Sequence, residues 1–122
     1  MAKKNYNGAP TKIVQTVLHT IPRTEYERFV FEFIEELDTV NKTLAKKIMS
    51  TYNDQLESEY RTHASKKFKN RAGRGEIRIK QNAARRTIRR GLYTMSHLEF
   101  AQSEELIRTL CTKISAVIKM GG

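Results

Sequence analysis

The chain has 122 residues, 39% of them apolar and 30% charged, with a formal net charge of +10. That length suits one domain, and the composition is globular rather than disordered. No run of about 18 apolar residues is present to span a membrane, and the single cysteine, Cys111, excludes an internal disulfide framework and fits a reducing cytosol.

Residues 1–10 carry Lys3 and Lys4 without an apolar stretch behind them, which reads as a flexible basic arm ending at Pro10 rather than a secretory leader. Residues 11–122 then read as one helical domain. Ile13, Val14, Val17, Leu18 and Ile21 recur at helical spacing over 11–21, with Thr11 as the N-cap and Pro22 as the stop. Thr24 and Glu27 have the spacing of a capping box, in which each side chain bonds the other's unpaired backbone N–H. The helix it would open, 24–37, carries the stripe Tyr26, Phe29, Val30, Phe33, Ile34 and Leu37. Its opposite face is acidic, with Glu25, Glu32, Glu35 and Glu36, and Asp38 just beyond.

A third helix is predicted from Thr39 or Val40 to Phe68, because Leu44, Ile48, Tyr52, Leu56 and Tyr60 recur every four residues. A four-residue repeat overshoots 3.6 residues per turn, so this stripe drifts and can meet more than one partner helix. Two glycines make 70–75 a predicted break. Beyond it, Ile77 and Ile79 alternate with Arg78 and Lys80 as in a short strand. A helix over 76–90 fits better: it groups Ile77, Gln81, Ala84, Ile88 and then Leu92 on one arc, and Gly91 would supply its left-handed end. Ser96 and Glu99 form a second capping box, with Met95 and Phe100 at the staple positions of a last helix over 96–119. The expected fold is all-α: a small irregular bundle of about five helices.

The charge is not spread evenly. Between Arg61 and Arg90 stand twelve cations and one acid, Glu76, whereas the rest of the chain holds eleven cations and twelve acids. Like charge so concentrated opposes folding by self-repulsion, so it more often marks an interaction surface. The block could instead neutralise residues 24–59, whose net charge is −5, but about half of it would remain unmatched.

Chemistry-bearing motifs are sparse. His19, His63 and His97 are far apart and match no metal-ligand spacing, and there is no nucleophile elbow or P-loop. Cys111 falls on the last apolar stripe, as a core residue does. Thr43-Leu44-Ala45-Lys46-Lys47-Ile48 resembles the first helix of a helix-turn-helix, but Met49 stands where the turn wants glycine, so the motif is not assigned. Gly73-Arg74-Gly75 matches a minor-groove hook only in composition.

Arginine binds phosphate through two parallel N–H donors and can read guanine edges, and arginines outnumber lysines in the block. The expected function is therefore that of a non-enzymatic, nucleic-acid-binding accessory protein. It would hold the backbone of duplex DNA, or of structured RNA, through Arg78, Arg85, Arg86, Arg89 and Arg90, with Lys66, Lys67, Lys69, Arg71, Arg74 and Lys80 beside them. Phe68 is the only aromatic between Arg61 and Arg90, which favours duplex over unpaired bases. Two other readings fit: a coat or nucleoid protein that assembles along nucleic acid as a homo-oligomer, and a regulator whose basic face docks on an acidic protein. No metal, cofactor or membrane is expected, and the expected location is the cytoplasm, nucleoid or virion.

Overall fold

The computed structural model describes residues 9–65 and 72–121, with the side chains of 10–62 and 75–117. Five α-helices follow one another: α1 (Ala9–Thr20), α2 (Tyr26–Asp38), α3 (Lys42–Ser65), α4 (Ala72–Tyr93) and α5 (His97–Gly121), with a 3-10 turn at Arg23–Glu25 between α1 and α2. Among the described residues there is no strand. The fold is an all-α bundle, as the periodicity predicts.

α1 starts at Ala9, not after Pro10, so Thr11 is not its cap. Proline is at home in the first turn of a helix, where its missing N–H would have no partner anyway. Residues 1–8, including Lys3 and Lys4, lie outside the described residues.

The first capping box is not made. The chain enters α2 through the 3-10 turn, and the N-cap residue Glu25 makes no side-chain capping bond to the helix backbone, its carboxylate pairing with Arg28 instead. Glu27 is used elsewhere, accepting a 2.8 Å hydrogen bond from the Tyr52 hydroxyl of α3. Burial and this carboxylate push the Tyr52 phenol above its ordinary pKa. The second box forms in full. Ser96 N donates to Glu99 Oε1 at 2.9 Å and Glu99 N donates to Ser96 Oγ at 3.1 Å, with Met95 and Phe100 both buried.

α2 lies at the centre, packed against α3, α4 and α5. Its stripe is buried through Tyr26, Phe29, Val30, Phe33 and Leu37. Fully burying one such apolar side chain stabilises the fold by about 1.5–3 kcal/mol. The stripe's polar edge is held by ion pairs: Glu32 accepts from Arg28 at 2.9 Å and from Lys113 of α5 at 3.4 Å. The Arg28 hydrogen bond leads in holding the Glu32 carboxyl below its ordinary pKa. That contribution to stability is present above the normal carboxylate range and is lost as pH falls through the lowered value.

α3 starts at Lys42 rather than Thr39 or Val40. Asn41 is its cap, accepting a 3.0 Å bond from Leu44 N through Oδ1 while its amide donates to Gln102 of α5. α3 runs unbroken through Met49, so no helix-turn-helix exists there. Its predicted extension to Phe68 falls partly outside the described residues.

α3 and α4 form the most extensive helix pair. Their contacts run in opposite senses along the chain: Ile48 with Gly91, Glu59 with Asn82, and Tyr60 with Glu76. The two helices are therefore antiparallel.

α4 extends further than predicted at both ends. It includes residues from Ala72, so Gly73 and Gly75 are helical, contrary to the predicted break over 70–75, of which residues 70 and 71 lie outside the described set. The strand alternative at 77–80 does not occur. The buried face is Ile79, Ala83, Ala84, Thr87, Ile88 and Leu92; Ile77 is 60% exposed, contrary to the predicted arc. The Thr87 hydroxyl, buried among these, donates to the Ala83 carbonyl at 2.7 Å and so carries no unsatisfied hydrogen.

Gly91 does not end α4. It lies inside the helix and buried, and a Cβ there would stand 2.9 Å from Ile48 Cδ1. Its role is to let α3 and α4 approach. Gly91→Ala gains about 1 kcal/mol of helix propensity against crowding a terminal methyl, and the two nearly cancel. Gly91→Val adds more bulk without that gain, so urea denaturation should show a loss of about 1–3 kcal/mol.

Candidate nucleic-acid interface

The face of α4 away from the core carries the arginines. At 100° per residue, Arg78, Arg85 and Arg89 fall within an arc of about 40°, with Arg86 and Arg90 to one side. All five are exposed. From Arg78 to Arg89 the helix rises roughly 16 Å. Lys80 is half-buried and, at the same 100° per residue, lies on the opposite side of the helix from Arg89. Arg74 belongs to α4, but its side chain is outside the described residues, as are Lys66, Lys67, Lys69 and Arg71 altogether.

Every acidic side chain of the protein lies within the described residues, so carboxylate partners of these cations can be traced. Two of the described cations in the block have one: Arg61 pairs with Glu57 at 3.5 Å and Arg86 with Glu59 at 3.1 Å. Glu76, the acid within the block, accepts from the Tyr60 hydroxyl. Arg78, Lys80, Arg85, Arg89 and Arg90 have no carboxylate partner among the described residues. The acids of α2 pair with Arg28, Lys42 and Lys113, none of them from the block. Intramolecular neutralisation of the acidic helix by the basic one does not occur among these residues.

Arg86 is thus set apart from its neighbours. Glu59 is only 7% exposed on the inner side of α3, and besides Arg86 it accepts a long 3.4 Å bond from Asn82. A carboxylate there needs a cation, since a buried charge left unpaired is costly. Breaking a fully buried pair costs about 3–5 kcal/mol, but the Arg86 side chain is 54% exposed, so solvent screening reduces the figure. Arg86→Gln should lower stability by about 1–2 kcal/mol in urea denaturation. The same change at Arg85 or Arg89 should leave the midpoint unmoved. The sequence offers no long-range signal for this pair, because Glu59 and Arg86 meet only through the antiparallel pairing of α3 and α4.

On the exposed side of the last turns of α4, Arg85, Arg86, Arg89, Arg90 and Tyr93 border an open surface depression. Charge density alone does not find Tyr93, which lies three residues beyond the block. Helical spacing could have placed it, since Arg89 and Tyr93 are four residues apart and share a face. With Tyr93 included, the arginine face does have an aromatic side chain, contrary to the expectation drawn from Phe68.

Elsewhere the chemistry is muted. No group of three or more His, Cys, Asp or Glu among the described residues is placed to hold a metal ion. Cys111 is buried on α5, as its stripe predicts, and burial pushes its thiol up to about 11, with Arg108 acting weakly in the opposite sense. His19 and His97 are exposed, and the side chain of His63 is outside the described residues. No helix among the described residues is long and apolar enough to cross a membrane. Comparison with known protein families, curated proteins and solved structures finds no match for this chain.

Proposed function

We propose that this protein is a non-enzymatic nucleic-acid-binding accessory protein that holds the phosphate backbone of duplex DNA, or of structured RNA, along the outer face of α4. The observation that carries this reading is the set of unpaired cations Arg78, Lys80, Arg85, Arg89 and Arg90 on one helix of a chain that has carboxylates to spare. Glu35 and Glu36 of α2 are exposed and form no ion pair with the described residues, yet the fold keeps them apart from α4's arginines. Cations held away from available anions release condensed counterions when they meet a polyanion, which drives binding. A helix with its charge along one side also has the form needed to lie in or across a groove.

The discriminating experiment is a gel-shift series with duplex DNA, hairpin RNA and single strands of equal length. Binding of duplex DNA or hairpin RNA ahead of an unstructured single strand supports the reading. Retention of none of them at low salt overturns it.

A second reading is assembly along the nucleic acid. It is favoured by the groove between α2 and α3, where Phe31, Ile34 and Met49 are flanked by Glu32, Glu35 and Asp38. An acidic, partly apolar surface on one side and a basic one on another suit head-to-tail contacts between copies. Sizing the protein with and without DNA separates a coat from a monomeric binder.

A further inference from the structure

We propose that the depression at the end of α4 holds an unpaired nucleotide, its base stacked on Tyr93 and its phosphate held by Arg89 and Arg90. The proposal rests on the nucleic-acid reading above and names the form of the ligand: a duplex that carries an unpaired nucleotide at an overhang, bulge or junction.

Three exposed aromatic side chains are described, and two of them are already engaged. Phe31 packs edge-on against Tyr52, with ring centroids 5.1 Å apart, and the hydroxyl of Tyr60 is bound to Glu76. Tyr93 is 41% exposed, and among the described residues it has neither a ring partner nor a hydrogen bond through its hydroxyl. An amphipathic ring left open to solvent amid four guanidinium groups has no structural task in the core.

The surroundings limit what can sit there. Arginines line the rest of the depression, so the ligand is anionic, and the depression is open to solvent, as suits one nucleotide of a longer strand. Arg86 is held by Glu59, which leaves Arg85, Arg89 and Arg90 to meet the charge. A phosphate joined to a flat aromatic group satisfies both the guanidinium groups and the ring, and a nucleotide is the unit of a nucleic acid that has both. Bases stacked within a duplex do not offer a face to a side chain, whereas unpaired ones do. The position along the helix agrees, because Arg78 lies about two turns before the depression, on the same face as Arg85, and can meet the paired backbone leading into it.

The test compares a blunt DNA duplex with the same duplex bearing a short single-stranded overhang, by fluorescence anisotropy, for the wild type, Tyr93→Ala and Tyr93→Phe. The wild type should prefer the overhang substrate. Tyr93→Ala should weaken binding to it by roughly tenfold, within the range for loss of one base–aromatic stack, while leaving the blunt duplex unaffected. Tyr93→Phe, which keeps the ring, should behave as the wild type. Equal wild-type affinity for both substrates, or equal weakening of both by Tyr93→Ala, would overturn this inference and leave backbone binding standing. Absence of binding to either substrate would overturn both together.

Discussion

Changing Arg85, Arg89 and Arg90 to glutamine should flatten the dependence of log affinity for duplex DNA on log salt by roughly three, about one for each phosphate that is no longer neutralised. The same triple variant should keep its helical circular dichroism and its thermal midpoint, because these three side chains are exposed and have no carboxylate to lose. Arg86 is left in place for a physical reason. Its pairing with the buried Glu59 would add a folding defect to a binding experiment and obscure the result. An unchanged slope in the triple variant would show that the phosphate-binding cations lie elsewhere, most directly among Lys66, Lys67, Lys69, Arg71 and Arg74. A lowered midpoint with unchanged binding would mark the arginines as structural.

The largest effect on folding is expected at Phe33. It is 4% exposed on the central helix and stacks on Phe29, ring centroids 5.8 Å apart. Phe33→Ala removes that stack and leaves a cavity among α2, α3 and α4, whose packing resists collapse. The expected cost is about 3–5 kcal/mol in urea denaturation. Leu110→Ala, at a residue 3% exposed on α5, should cost about 2–5 kcal/mol. Domains of this size are stable by only about 5–15 kcal/mol, so either change removes a large share. A loss below half a kcal/mol at either site would mean that the side chain does not lie in the core.

The helices were legible wherever the signal was local. The α2 stripe is buried from Tyr26 to Leu37, and the Ser96–Glu99 box forms because its donors and acceptors lie within four residues. Local signals misled where tertiary partners competed for the same group. Thr24 and Glu27 have the spacing of a box, but Tyr52 of α3 takes the Glu27 carboxylate. Gly73 and Gly75 disfavour helix by about 1 kcal/mol each, yet α4 includes both, alongside α3. Gly91 resembles a helix terminus in sequence, whereas its function is the approach of Ile48 from another helix.

The candidate interface was legible in the same uneven way. Charge density located it, and periodicity grouped Arg78, Arg85 and Arg89. What the sequence withheld was that Arg86 is already engaged, since its partner Glu59 lies more than twenty positions away. It also hid Tyr93, which a window drawn around the charges cut off.

The most direct test of backbone binding by α4 is the salt titration of the wild type against a duplex DNA by fluorescence anisotropy. The four unpaired arginines of α4, Arg78, Arg85, Arg89 and Arg90, reaching phosphates predict a slope of about −3 to −4 for log affinity against log salt. A slope near zero, or no binding even at low salt, would contradict it.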